Sequence, residues 1–97
     1  MKNEKAVKRK IKVYLEARTD TWHTMPAQSG FSEAGVPDFL VCLNGVFVAI
    51  EAKFGKNKPT PMQELQLERI RQSYGQAWVI NEDNVDELPE LLEKWAW

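Results

Sequence analysis

Apolar residues recur along this chain with two different periods, and the changes of period mark its elements. From Asn3 to Ala17, Val7, Ile11, Tyr14 and Leu15 fall at helical spacing on one stripe, which predicts an amphipathic helix. Glu4 lies on that same stripe, so an acid sits on the face turned towards the core. Its plainer reading is a charge that complements the helix dipole. Thr21 to Gln28 reads as a short strand, placed at a sheet edge by Pro26. Ser29 to Pro37, with Gly30 and Gly35, reads as a loop. The strongest local signal follows. Phe39-Leu40-Val41-Cys42-Leu43 and Val46-Phe47-Val48-Ala49-Ile50 are β-branched and aromatic runs joined by Asn44-Gly45, which predicts a hairpin with a two-residue turn.

Beyond the hairpin the pattern returns to helical spacing. Lys56 to Pro61 is polar loop, and Thr60 caps a predicted helix from Pro61 to Tyr74 with Gly75 as its stop. Ala77 to Ile80 reads as a short buried strand. A last helix runs from about Asn84 to Trp95, with Leu88, Leu91, Leu92 and Trp95 on one stripe. The order α-β-β-β-α-β-α predicts an α/β fold: a mixed sheet with a central hairpin, flanked by helices.

Composition narrows the class of protein. A chain of 97 residues, 43% of them hydrophobic, supports one domain over residues 1–97 with a single core. Charged residues make up 28%, and nothing in the composition suggests disorder. No apolar run is long enough to span a bilayer, and Met1-Lys2-Asn3-Glu4-Lys5 lacks the apolar segment of a secretory signal. No membrane association and a cytoplasmic location are therefore the expectation. The lone Cys42 cannot close an internal disulfide, and with His23 as the single histidine no closed zinc site can form. Any metal must be held mainly by oxygen. Cys42 itself reads as inert packing, and His23 as a structural or exposed histidine, with a substrate contact as the alternative. Net charge is −1, but its distribution is uneven: Lys2 to Arg18 carries seven basic residues against two acids. Such a stretch is either a phosphate-facing surface or simply a solvated helix face.

The hairpin converts this layout into chemistry. With Asn44-Gly45 as the turn, Leu43 faces Val46, and counting back along both strands sets Asp38 opposite Glu51. Facing residues share one side of a sheet with Cβ atoms roughly 4.5–5.5 Å apart. Lys53, two residues beyond Glu51, points to that side too. A one-residue bulge would break this register. Two opposed carboxylates destabilise a sheet unless a cation lies between them or they share a proton. Carboxylate oxygens on rigid strands suit Mg²⁺ or Mn²⁺. Such a dication lowers the pKa of a water and neutralises charge on a phosphorane-like transition state, which Lys53 can also stabilise.

These residues carry a resemblance. Gly35-Val36-Pro37-Asp38, the hairpin and Glu51-Ala52-Lys53 resemble the PD-(D/E)xK nuclease signature. With Glu4 in the first helix and Gln63 opening the next, the chain is similar to the stand-alone VRR-NUC domains, the virus-type replication-repair nucleases. The resemblance implies a restriction-endonuclease-like core. It also implies metal ligation by Asp38, Glu51 and the Ala52 carbonyl, with Glu4 bound directly or through water. Lys53 would stand at the hydrolytic water, and Gln63 would orient Lys53 or touch the substrate backbone, a role for which Gln66 competes. Ser29 is the counterpart of a loop serine that assists catalysis in the related Holliday-junction resolvases.

The expected function is Mg²⁺- or Mn²⁺-dependent hydrolysis of DNA, with phosphates met by Lys8, Arg9, Lys12 and Lys58. No recognition helix or zinc module is visible for base readout, so junctions or flaps are the expected substrates rather than a base sequence. Junction-resolving relatives work as homodimers, and the apolar end around Leu92, Trp95 and Trp97 is one possible interface. The runner-up reading is a catalytically silent nucleic-acid-binding module of a repair or phage assembly. A plain interaction domain would account for the terminal tryptophans but not for the carboxylate pair.

Overall fold

The computed structural model describes residues 2–28 and 33–96. Helix α1 spans Glu4–Glu16, and Asn3 caps it by accepting the Ala6 N–H at 2.9 Å. Strands β1 (Thr21–Thr24), β2 (Phe39–Leu43) and β3 (Val46–Ala52) follow. Helix α2 (Pro61–Gln72), strand β4 (Gln76–Ile80), a 3₁₀ turn (Val85–Glu87) and helix α3 (Leu88–Trp95) complete the chain. The strands form one sheet in the order β1-β2-β3-β4, antiparallel across the first three and parallel between β3 and β4. The predicted α/β order and mixed sheet are those of the structure.

Sequence pattern explains both layers. Period-2 alternation along β2 and β3 sends Phe39, Val41, Leu43, Val48 and Ile50 to one face. There they pack with Val7, Ile11 and Leu15 of α1 and with Leu88 and Leu92 of α3 in a core shielded from solvent. The opposite face buries Ala49 and Ala77 beneath Leu67 of α2. Asn44 (φ 48°) and Gly45 (φ 91°) both adopt the left-handed region that a type I′ turn needs, and Phe39 pairs with Ile50 as the turn dictates. No bulge intervenes.

Boundaries differ at three places. Strand β1 ends at Thr24 rather than Gln28, because its partner among the described residues, β2, begins at Phe39 and Thr24 already reaches Leu40. Helix α2 ends at Gln72, and the left-handed residue that stops it is Tyr74 (φ 69°), not Gly75. Tyr74 N–H reaches the Arg71 carbonyl and Gly75 N–H the Ile70 carbonyl, a Schellman closure. Gly75 is required one place later, since a Cβ there would lie 2.8 Å from Ile70 Cγ2. The last predicted helix begins as a 3₁₀ turn. Its expected stripe also splits: Leu92 is buried in the core whereas Trp95 stays largely exposed. Trp97 lies outside the described residues.

Candidate active site

Asp38 is positioned by a loop fastened to α2. Gly35 has φ +77°, and a Cβ on it would meet the Met62 carbonyl oxygen at 2.5 Å. Only glycine lets the loop backbone lie this close to the first turn of α2. Gln66 holds the same loop, donating to the Ala34 carbonyl at 3.1 Å and to Glu33 at 3.2 Å. Pro37 and Asp38 then turn inward, both buried. Backbone pairing in β2 starts one residue later, at Phe39, and the Asp38 carboxylate closes the ladder in its place: Oδ2 accepts the Ala52 N–H at 2.8 Å. Asp38 and Glu51 thus meet across the open end of the hairpin.

Glu51 is 2% exposed, and its Oε1 is buried with no hydrogen-bond partner among the described residues. Its Oε2 lies 3.4 Å from Lys53 Nζ. Burial, and then the nearby charge of Asp38, push the Glu51 pKa up to about 7 against the pull of Lys53. On the other side of Asp38 stands Lys8 of α1. Its ammonium is 3.3 Å from Asp38 Oδ1 and 3.5 Å from Glu4 Oε2. Burial opposes the Lys8 charge, but Asp38 and then Glu4 outweigh it, and its pKa is raised.

Of the residues singled out in the sequence, Asp38, Glu51 and Lys53 come together. Glu4 reaches Lys8 rather than the other two acids, and no group of three His, Cys, Asp or Glu able to hold a metal gathers among the described residues. The Gln63 side-chain carbonyl accepts the Thr60 N–H at 2.9 Å in a capping box, and no bond joins it to Lys53 among the described residues. Arg9 and Lys12 are exposed on α1 and, with Lys5 and Lys8, border a cleft of about 520 Å³ that ends on Met25. Lys58 is exposed before α2. Ser29 lies outside the described residues. His23 rests against Phe39, ring centroids 6.1 Å apart. Cys42 is exposed rather than packed. Sequence reasoning gave Lys8 to the substrate alone. The sign of its inner contact was present, since it follows Glu4 by four residues on one helical face.

The donors fit a hard divalent cation. Asp38 and Glu51 offer oxygen only, and an orphaned buried carboxylate oxygen is costly unless something pairs with it.

A mixed sheet whose central hairpin carries Pro37-Asp38 on one strand and Glu51-Ala52-Lys53 on the next has the build of the PD-(D/E)xK nuclease core. More specifically, the chain matches a solved "VRR_NUC domain" with a TM-score of 0.73 and 29% identity, over 90% of this chain and 94% of that one. The match implies a nuclease family of the PD-(D/E)xK type. No family model matches the chain, and no curated protein does.

Proposed function

We propose that this domain, over residues 1–97, is a metal-dependent deoxyribonuclease that hydrolyses phosphodiester bonds at Asp38, Glu51 and Lys53. The observation that carries the reading is the buried Glu51 carboxylate, one oxygen without a partner among the described residues, set between Asp38 and Lys53. Mg²⁺ or Mn²⁺ would be held by Asp38, Glu51 and the Ala52 carbonyl, with Glu4 further out. When bound, the ion neutralises phosphoryl charge and lowers the pKa of a water. The protein's own groups do the rest. The Ala52 N–H holds Asp38 in a fixed orientation. Lys53, itself mostly buried, lends positive charge where negative charge develops on the phosphate. Gln63 sits at the first turn of α2, within the element that fastens the Asp38 loop, and supports that loop or the substrate backbone.

The substrate we infer is DNA, branched or flapped, gripped through its phosphates by Lys8, Arg9, Lys12 and Lys58, with Ser29 as a further candidate contact. Two cuts at a junction call for two copies, so the active species is a homodimer. Leu92 is core and drops out of its interface.

The test is cleavage of junction, flap, duplex and single-stranded DNA with Mn²⁺, by the wild type and by Asp38→Ala, Glu51→Ala and Lys53→Ala. Cleavage lost in all three variants and in EDTA is expected, at a loss of about 10³-fold or more. Cleavage by Asp38→Ala, or in EDTA, overturns the mechanism. DNA binding without cleavage supports the silent module instead. Light scattering on the same preparation should give the mass of a dimer, and a monomer mass overturns that part.

A further inference from the structure

Lys8 stands at the junction of two features that are otherwise separate. Its ammonium faces Asp38 Oδ1, the oxygen left over once Oδ2 has taken the Ala52 N–H. Its stem also forms part of the wall of the basic cleft with Lys5, Arg9 and Lys12. The side chain is 29% exposed, so the ion pair is half sheltered, while Asp38 is almost wholly enclosed. Glu4 holds the same ammonium from the outer side at 3.5 Å.

This geometry answers a question the hairpin raises. Two buried acids at the open end of a sheet require a positive partner. Lys53 compensates Glu51, and Lys8 compensates Asp38. One of these lysines, Lys53, directly follows β3 and is mostly buried, with its side chain 12% exposed. The other is the last four methylenes of a helix side chain, which can rotate away without disturbing the backbone.

We propose that Lys8 is the internal counter-ion of the metal-free site, held against Asp38 Oδ1 until a divalent cation takes that oxygen, and then turned into the basic cleft to meet a substrate phosphate. The step is an exchange of ionic partners and breaks no covalent bond. It rests on the nuclease reading above, and it gives Lys8 a task at Asp38 besides its contact with a substrate phosphate. Its consequence is reciprocal: the lysine weakens metal binding, and metal frees the lysine for DNA.

The experiment is titration of Mn²⁺ alone into wild type, Lys8→Gln and Lys8→Arg, followed by calorimetry, with no DNA present. A positive charge several ångströms from a dication costs it about tenfold in affinity at a partly screened site. Lys8→Gln should therefore bind Mn²⁺ about tenfold more tightly than wild type, and Lys8→Arg should restore the weaker binding. A purely structural or DNA-contacting lysine would leave Mn²⁺ affinity unchanged or reduce it, and either result overturns the proposal. Should Lys8→Gln not fold, the wild type carries the test. The side-chain ¹⁵N resonance of the Lys8 ammonium should move on Mg²⁺ addition, and an unmoved signal at saturating Mg²⁺ overturns the exchange. Failure of the underlying reading looks different: no Mn²⁺ binding by any of the three proteins removes the metal site and this proposal together. Equal Mn²⁺ binding by all three removes this proposal alone.

Discussion

Asp38 receives both the Ala52 N–H and the Lys8 ammonium, while Glu51 has Lys53 on one oxygen and no partner on the other among the described residues. The electrostatic cost of the pair therefore falls on Glu51, whose pKa is pushed up to about 7. A raised carboxyl pKa means that the folded state binds a proton more tightly than the unfolded chain does. The associated stability is fully present below the ordinary glutamate range and is lost as pH rises through about 7. In a chelator, Glu51→Gln should match the wild type near pH 5 and exceed it above pH 7, by at most about 3 kcal/mol. Thermal melts of both proteins across this range measure it. A difference that stays constant with pH would show that burial is not what raises Glu51. Metal binds the deprotonated carboxylate, so saturating Mg²⁺ should remove the gap or reverse it.

At the scale of elements, the site depends on how the 33–37 loop meets α2. The Gly35 backbone lies against Met62 so closely that a methyl group cannot enter, and its φ of +77° disfavours any side chain. Gly35→Ala should thus cost about 2 kcal/mol or more, lowering the melting temperature by about 8 °C or more. It should also reduce cleavage, because Asp38 follows three residues later in the same segment. Gly45→Ala is the matched control. Its φ of +91° is equally unfavourable, but nothing lies within 4 Å of the added carbon, so it should cost less and leave cleavage intact. Equal losses in the two variants would show that only the dihedral matters and that the contact with α2 does not.

For the molecule as a whole, charge separation rather than net charge governs the approach of a polyanion. The chain carries −1 overall, yet Lys5, Lys8, Arg9 and Lys12 share one cleft beside the acids. In EDTA, with Lys8 held on Asp38, the three other phosphate contacts, Arg9, Lys12 and Lys58, predict that log K for duplex or flap DNA falls with log salt at a slope of roughly −2 to −3. Arg9→Gln should flatten that slope by about one. Anisotropy titrations in EDTA, where no cutting occurs, provide the measurement. Affinity indifferent to salt would mean that α1 is solvated and the cleft takes no phosphate.

Much of this was legible before any coordinates because it is local. Helical spacing of Val7, Ile11 and Leu15 determines which side of α1 is buried. Asn44-Gly45 determines the turn, and the turn determines the register. Register alone sets Asp38 against Glu51, since every residue pair in a two-residue hairpin is fixed once the turn type is fixed. The parity of β3 then puts Lys53 beside them. What sequence could not supply depends on the docking of separate elements. Tyr74 rather than Gly75 takes the left-handed position, and the crowding of position 75 by Ile70 and Phe47 appears only once α2 is docked on the sheet. Leu92 and Trp95 share a predicted stripe, but only Leu92 is enclosed in the core, and Trp95 is 36% exposed. The resemblance implies a site role for Gln63, and only the structure shows that its carbonyl also closes the cap of its own helix. Glu4 and Lys8 show the limit most clearly. Periodicity places both on α1, but only the tilt and depth at which that helix packs on the sheet brings the Lys8 ammonium, and not the Glu4 carboxylate, to Asp38.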